Sequence, residues 1–586
     1  MRAVRKLMQN FAEQSRDIAE HIASRWLEQI GEDGHVRERG HADPSKDLQP
    51  GRVAHALALC AAIGRPGTPQ GPLVDAAARC IAGQFFHHCR PDCLAGCAHG
   101  ALALMILGVN SAHNGCWAQF PESIRETIGR WMRSRADVPL ALRPYEIVRA
   151  TVAAGMGFVS SDSSEKLIGE FFRELLASPT GGFLDTAEPN STPGRYDASG
   201  LFRLLLLRET LQRHANANVR ERRLPALRSC MMHYLRMAPF LLQGDGSGWT
   251  YGDPAGCLGT VGNCTAIVCA LADGWLDGDQ RERYVALLCR YFQNFFFRHL
   301  DRESGDLLWE EGGEIPSGFG RAETAFAIVR QLALWYSFGK NVKDPFPGPA
   351  VAQIASGGRY FSFSSGGKWD HGLMVYGDGE SGLSFQLPLV SPPRTVPTLS
   401  SAAFPRCSGI VRAVGDLPPL LPILTMEGKS IAPSFGGKSI ATSLGISKEF
   451  QFRYEQPDLF ALDGEAVPGL ASCKVQWNFQ GNRIRTEFNC TPKKVVRLER
   501  FYFAVPAPRR RETCPSPAPL WLGEGGWNPR ILQDDFCGDW QPQHPGAQSE
   551  EDRPLCYVRL LPILLQPGRS YRFAISFELD IVREMP

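Results

Sequence analysis

The sequence contains no uninterrupted run of about 20 apolar residues, the length a helix needs to cross a bilayer, so no membrane span is expected. Its first residues, MRAVRKLMQNFAEQSRDIAEHIASRW, open with positive charge. Gln9, Asn10, Glu13, Gln14, Arg16 and Asp17 then break any apolar stretch, so no secretory signal is expected either. No basic stripe stands out. The 63 Lys and Arg nearly balance the 61 Asp and Glu, leaving a net charge of +2, and nucleic acid is not an expected partner. There is no Walker loop, no HExxH, no Gly-x-Gly-x-x-Gly between a strand and a helix, and no heptad repeat. Nucleotide cofactors and coiled coils therefore have no support. A disulfide framework is missing too: 17 cysteines, an odd number, are scattered along the chain. They read as mostly buried thiols in a reducing compartment, and the cytoplasm is the expected location.

What is present is enough chain for more than one core. At 586 residues, with 44% apolar and 21% charged residues, a globular protein of two or more domains is expected. Residues 1–345 alternate helix-period segments with Gly- and Pro-rich loops, about twelve helices in all. Every second helix is apolar on most of its surface: VAHALALCAAI, GALALMILGV, IVRATVAAGM, LFRLLLLRE, TAIVCALADG and TAFAIVRQLALW. They recur at intervals of about 46 to 64 residues, a weak repeat that suggests stacked helical hairpins. Helices apolar all round are buried all round, so six inner and six outer helices predict an (α/α)6-like helical toroid. The inner helices would run parallel, with the long loops crowding one mouth. An open helical array is the alternative.

After the prolines at Pro345, Pro347 and Pro349 the period changes to two. RYFSFSS, GLMVYGDG, GLSFQLPLV, KEFQFRYEQ, CKVQWNFQGNRIRTEFNC, VVRLERFYFAV, CYVRLLPILL and YRFAISFELDIV read as strands, and Phe479 to Arg483 as a hairpin turn. Residues 350–586 are thus expected to form an antiparallel β-sandwich, with 508–554 loop-like. The fold class is multidomain α + β.

A helical toroid followed by an antiparallel β-sandwich resembles the toroidal polysaccharide lyases, including heparinase II/III-like, hyaluronate and alginate lyases. Asn263 in VGNCTAIV is similar to the asparagine that starts a buried helix in those enzymes, although Cys264 and Thr265 follow it in place of a second Asn, a His or a Trp. The segment WDHGLMVYGDGESGLSF is similar to a β-domain segment that carries a histidine there, which would be His371. The resemblance implies β-elimination from uronic-acid-containing glycans, with an oligosaccharide or polysaccharide as the partner and no cofactor.

That chemistry removes the proton beside a carboxylate. A site for it must neutralise the carboxylate and supply a base and an acid. His99, Tyr196, Tyr251 and Asn263 are the candidate catalytic residues. Arg143, Tyr145, Arg195, Trp249, Glu311, Arg321 and His371 are the candidates for substrate binding. Arg143, Arg195 and Arg321 fall at starts of buried helices, where a guanidinium could bind a carboxylate through two hydrogen bonds. Each could instead pair with a local acid, Glu146, Asp197 or Glu323. His99, Tyr145, Tyr196 and Tyr251 could be base or acid, or could simply bond their own loops. Asn263 could be a helix cap. Trp249 could stack on a sugar face. Two rival patterns remain. HHCRPDCLAGCAH offers His87, His88, Cys89, Cys93, Cys97 and His99, but its spacing is not that of a zinc site, and no metal is expected. Asp185, Glu188, Asp197, Asp253, Glu310, Glu311 and Glu314 lie in mouth loops and would suit a glycoside hydrolase if two stood at the required separation. A non-catalytic glycan-binding protein is the third reading. A uronate epimerase would share the proton abstraction.

Overall fold

The computed structural model describes residues 2–37, 49–65, 70–90, 93–108, 115–178, 182–184, 198–241, 256–294, 321–340, 356–364, 370–379, 383–389, 421–434, 436–444, 449–462, 465–505, 527–536, 541–543, 555–559 and 563–579. Two compact units are distinguished. One comprises Met1–Leu184, Asp197–Arg236 and Asp253–Ala352, the other Asp185–Tyr196, Met237–Gly252 and Gln353–Pro586.

The first unit is helical. Its described helices are α1 (Arg2–Leu27), α2 (Pro50–Ile63), α3 (Gly71–His87), α4 (Leu94–Leu107), the short α5 (Gly115–Gln119), α6 (Glu122–Arg133), α7 (Arg143–Gly155), α8 (Ser161–Ala177), α9 (Ala198–Gln212), α10 (Ala217–Leu241), α11 (Gly256–Ala272), α12 (Gly278–Asn294) and α13 (Arg321–Gly339). Local chemistry sets their starts. Pro50 and Pro144 occupy first-turn positions, where a missing N–H costs nothing. The Ser160 hydroxyl caps α8 by accepting from the Asp162 amide at 3.2 Å.

Periodicity separates outer from inner helices. On α6 the buried Ile124, Ile128 and Met132 recur every four residues, a single stripe. On α4 every residue from Gly96 to Leu104 is buried. The inner helices form a closed circuit: α2 packs on α4, α4 on α7, α7 on α9, α9 on α11, α11 on α13, and α13 returns to α2. This is the expected toroid rather than an open array. No described helix is long and apolar enough to cross a membrane.

The second unit carries antiparallel sheets. The main ladder has six strands, in the order β13 (Trp527–Asp534), β17 (Tyr571–Leu579), β11 (Arg483–Pro492), β10 (Ala471–Gln480), β7 (Phe450–Gln456) and β6 (Lys438–Leu444). A second sheet runs β14 (Gln541–Gln543), β15 (Leu555–Arg559), β12 (Val496–Val505), β4 (Pro422–Met426), β5 (Lys429–Ala432), β8 (Leu459–Ala461) and β9 (Ala466–Val467), with β16 (Ile563–Leu565) beside β12. A three-stranded sheet joins β1 (Gly357–Ser364), β2 (His371–Asp378) and β3 (Leu383–Leu389). Phe452, Trp477, Phe488 and Phe573 of the six-stranded sheet share one buried cluster with Leu424, Phe501 and Phe503 of the second sheet and Tyr376 and Phe385 of the third. That is the sandwich core. The hairpin at Phe479 to Arg483 forms as expected, with Gln480 opposite Arg483 and Gly481 at φ 55°, a conformation that glycine adopts without strain.

The stretch 508–554 departs from its loop-like reading. It contains β13 and β14, and β13 pairs along β17 at the edge of the main sheet. Its Pro529 sits in an edge strand, where a proline is tolerated.

Candidate active site

Five inner helices contribute to one buried polar network. It starts where α2 and α4 cross. A Cβ on Gly51 would lie 1.9 Å from the Gly96 carbonyl oxygen, so only glycine allows this approach. His55 lies one turn beyond Gly51, and His99 lies three residues beyond Gly96. The close crossing therefore presents the two imidazoles to each other. Their Nδ1 atoms are 2.8 Å apart. Both residues are buried, His55 completely.

At its other end His55 meets α9. Its Nε2 is 2.9 Å from Glu209 Oε1, and Glu209 is fully buried. Arg213 Nη1 stands 3.3 Å from the same oxygen, and Arg330 Nη2 of α13 stands 3.5 Å from Oε2. A buried carboxylate is costly unless paired. Burial alone would push the Glu209 pKa up, but His55, Arg213 and Arg330 outweigh it and hold it well below the usual carboxylate range. Burial pulls His55 below its ordinary value, against the raising influence of Glu209. Burial also pulls His99 well below its ordinary value, and Arg330, His55 and Arg52 add to that. Both shifts favour the neutral imidazole.

Tyr145 sits in the first turn of α7, with its ring centroid 6.1 Å from that of His99. The Arg203 guanidinium of α9 lies 5.8 Å from the tyrosine ring centre. Burial would raise the phenol's pKa, but Arg203, Arg52 and Arg330 outweigh it and bring it below its ordinary value. Arg203 Nε and Nη1 are buried without a hydrogen-bond partner among the described residues, and so is Arg330 Nε. The network thus sets a neutral imidazole and an acidified phenol beside guanidinium donors that have capacity to spare for an anion.

The candidates read from sequence are distributed unevenly over this site. His99 and Tyr145 are brought together in it, although His99 is the sixth residue of α4 rather than its first. Asn263 is buried but does not start a helix: α11 begins at Gly256, so the capping reading is corrected. Its Nδ2 has no hydrogen-bond partner among the described residues. Glycines 256, 259 and 262 make GCLGTVG look like a loop, since glycine is a poor helix former. In the structure the Phe202 ring packs over Gly262, where a Cβ would meet it at 3.1 Å. Arg143 takes no part in the network. It pairs with Glu174 of α8, and the local acid Glu146 pairs instead with Arg149. Arg321 opens α13 and His371 opens β2, and only their backbones are described. Arg195, Tyr196, Trp249, Tyr251 and Glu311 lie outside the described residues, as do the other mouth carboxylates. In HHCRPDCLAGCAH the histidines diverge, His88 contacting His35 at 2.8 Å while His99 turns to His55. None of the twelve cysteines whose side chains are described is in a disulfide, and among the described residues no group of three His, Cys, Asp or Glu could hold a metal ion.

No family model matches the chain, and no curated protein matches it. Solved structures do. A Paenibacillus xanthan lyase matches over 98% of this chain and 60% of its own, at 10% identity and a TM-score of 0.51. Chondroitin AC lyase from Streptomyces coelicolor matches over 98% of this chain and 82% of its own, at 11% identity and a TM-score of 0.45. Heparan sulfate lyase from Pedobacter heparinus matches over 100% of this chain and 89% of its own, at 9% identity and a TM-score of 0.39. The chain thus shares the fold of that xanthan lyase.

Proposed function

We propose that this protein is a lyase that cleaves uronic-acid-containing oligosaccharides by β-elimination. The observation that carries the reading is the juxtaposition of His99, Tyr145 and Arg203: a neutral base, an acidified phenol and an anion-binding guanidinium within one buried network. The substrate carboxylate binds Arg203 through the donors left open there, which lowers the cost of building negative charge beside it. His99 Nε2 takes the C5 proton. The C5–H electron pair becomes the C4–C5 double bond, and the bond from C4 to the leaving oxygen breaks. Tyr145 gives that oxygen its proton, and the surrounding guanidiniums stabilise the resulting phenolate. A protein placed in the cytoplasm would act on imported fragments, which favours oligosaccharides over intact polymers.

A glycoside hydrolase needs two carboxylates flanking the bond. The carboxylate in this network, Glu209, is fully buried and ion-paired, which suits neither role. The test is ultraviolet absorbance of the conjugated unsaturated uronate while a panel of uronate glycans is offered. A rise is expected, reduced about 10²- to 10⁴-fold in kcat by His99→Ala or Tyr145→Phe. New reducing ends without that absorbance would move the assignment to hydrolysis. Neither signal, with binding retained, would favour a glycan-binding protein.

A further inference from the structure

Two Nδ1 atoms 2.8 Å apart must share one proton, because two lone pairs or two N–H groups would repel at that distance. The far end of the chain of contacts decides which ring owns it. Glu209 is ionised, so it can only accept, and the atom 2.9 Å from it, His55 Nε2, must be the donor. Burial disfavours a second proton on His55, so the ring's single N–H is the one on Nε2 and its Nδ1 bears a lone pair. The proton between the rings therefore belongs to His99 Nδ1, and His99 Nε2 is bare.

We infer that Glu209 and His55 are positioning residues: they fix His99 in the tautomer with a bare Nε2 and take over the positive charge when that nitrogen accepts a proton. The identity of the proton donor rests on the elimination reading; the tautomer does not. The charge argument follows from the neighbours. Arg330 of α13, Arg52 of α2 and His55 itself all disfavour an imidazolium at His99. His55 faces Arg330 and Arg213 too, but it alone of the two touches Glu209. When Nε2 binds the C5 proton, the Nδ1 proton crosses to His55 Nδ1. His55 becomes an imidazolium held against the Glu209 carboxylate, and His99 is neutral again with its N–H now on Nε2. That proton next restores the Tyr145 phenol, and the Nδ1 proton returns from His55. Each group ends as it began, and no oxidant or further reactant is consumed.

The test begins with the unaltered protein labelled with 15N at histidine. Long-range 15N–1H correlation at neutral pH should show Nδ1–H with bare Nε2 for His99, and Nε2–H with bare Nδ1 for His55. The opposite tautomer at either ring, or an imidazolium, overturns the inference without any variant having to fold. Glu209→Gln should then lower kcat about 10²-fold with KM unchanged, because the amide leaves no charge to hold the imidazolium. If the tautomers are as stated but no glycan on a uronate panel yields unsaturated product, the elimination reading falls and the tautomer lock stands. If elimination occurs and a folded Glu209→Gln keeps the unaltered kcat, the charge transfer falls and the elimination stands.

Discussion

At the scale of single residues the site is governed by where positive charge is tolerated. Burial and nearby guanidiniums hold both histidines below 6.5, their ordinary value. A proton on the proposed base, His99, is therefore disfavoured. The acid limb of kcat/KM is expected below pH 6.5. Tyr145 must keep its proton to act as acid, and its pKa is brought below 10. The alkaline limb is accordingly expected below pH 10, and a full pH–rate profile checks both limbs. His99 and Tyr145 were legible in the sequence because they stand near loop-to-helix junctions, where polar residues invite a functional reading. His55, Arg203, Glu209 and Arg330 were not, being embedded in apolar runs such as VAHALALCAAI and LFRLLLLRE. A charge inside such a run is a signal. It does not discriminate, however: Arg149 and Arg208 give it equally, and they are taken up by Glu146 and by Asp273. The pairing that makes the site, such as Glu209 with His55 154 positions away, is carried by no local pattern.

At the scale of elements the α2–α4 crossing sets the geometry. Gly51→Ala places a methyl group against backbone that cannot yield, since the Gly96 carbonyl oxygen would be 1.9 Å away. The helices must separate, at a cost of about 1–3 kcal/mol. The contact between His55 and His99 is lost with them. Denaturant midpoints should fall, and activity should fall further than stability explains. Gly71→Ala, at the open start of α3 where a Cβ would meet nothing within 4 Å, is the control and should leave both unchanged. Element types were legible wherever one period ran unbroken, as in the apolar inner helices and in the β10–β11 hairpin. They were obscured wherever tertiary packing overrode local preference. Phe202 over Gly262 did so for the first turns of α11, and pairing with β17 did so for β13.

At the scale of the molecule the same buried groups tie stability to pH. Two histidines with lowered folded-state pKa values resist protonation that the unfolded chain accepts. Their stabilising contribution is complete above pH 6.5 and is lost as pH falls through their folded values. Glu209, also lowered, acts in the same direction: its contribution is present above pH 4.5 and is lost on further acidification. Each proton taken up on unfolding contributes about 1.4 kcal/mol per pH unit. The melting temperature should therefore drop as pH is lowered from 6.5, and less steeply in His55→Phe than in the unaltered protein.

The return of α13 onto α2 has a consequence for how the protein comes into being. Arg330 belongs to the last inner helix, whereas Arg52 and His55 belong to the first, and Glu209 binds groups from both. A nascent chain emerging from the ribosome holds the histidines long before it holds the helix that completes their surroundings. Until then α2 waits with one flank bare, and such contacts, distant in sequence, are slow to form and prone to misassembly. On the proposed reading, the site is therefore completed only when α13 docks, late in biosynthesis.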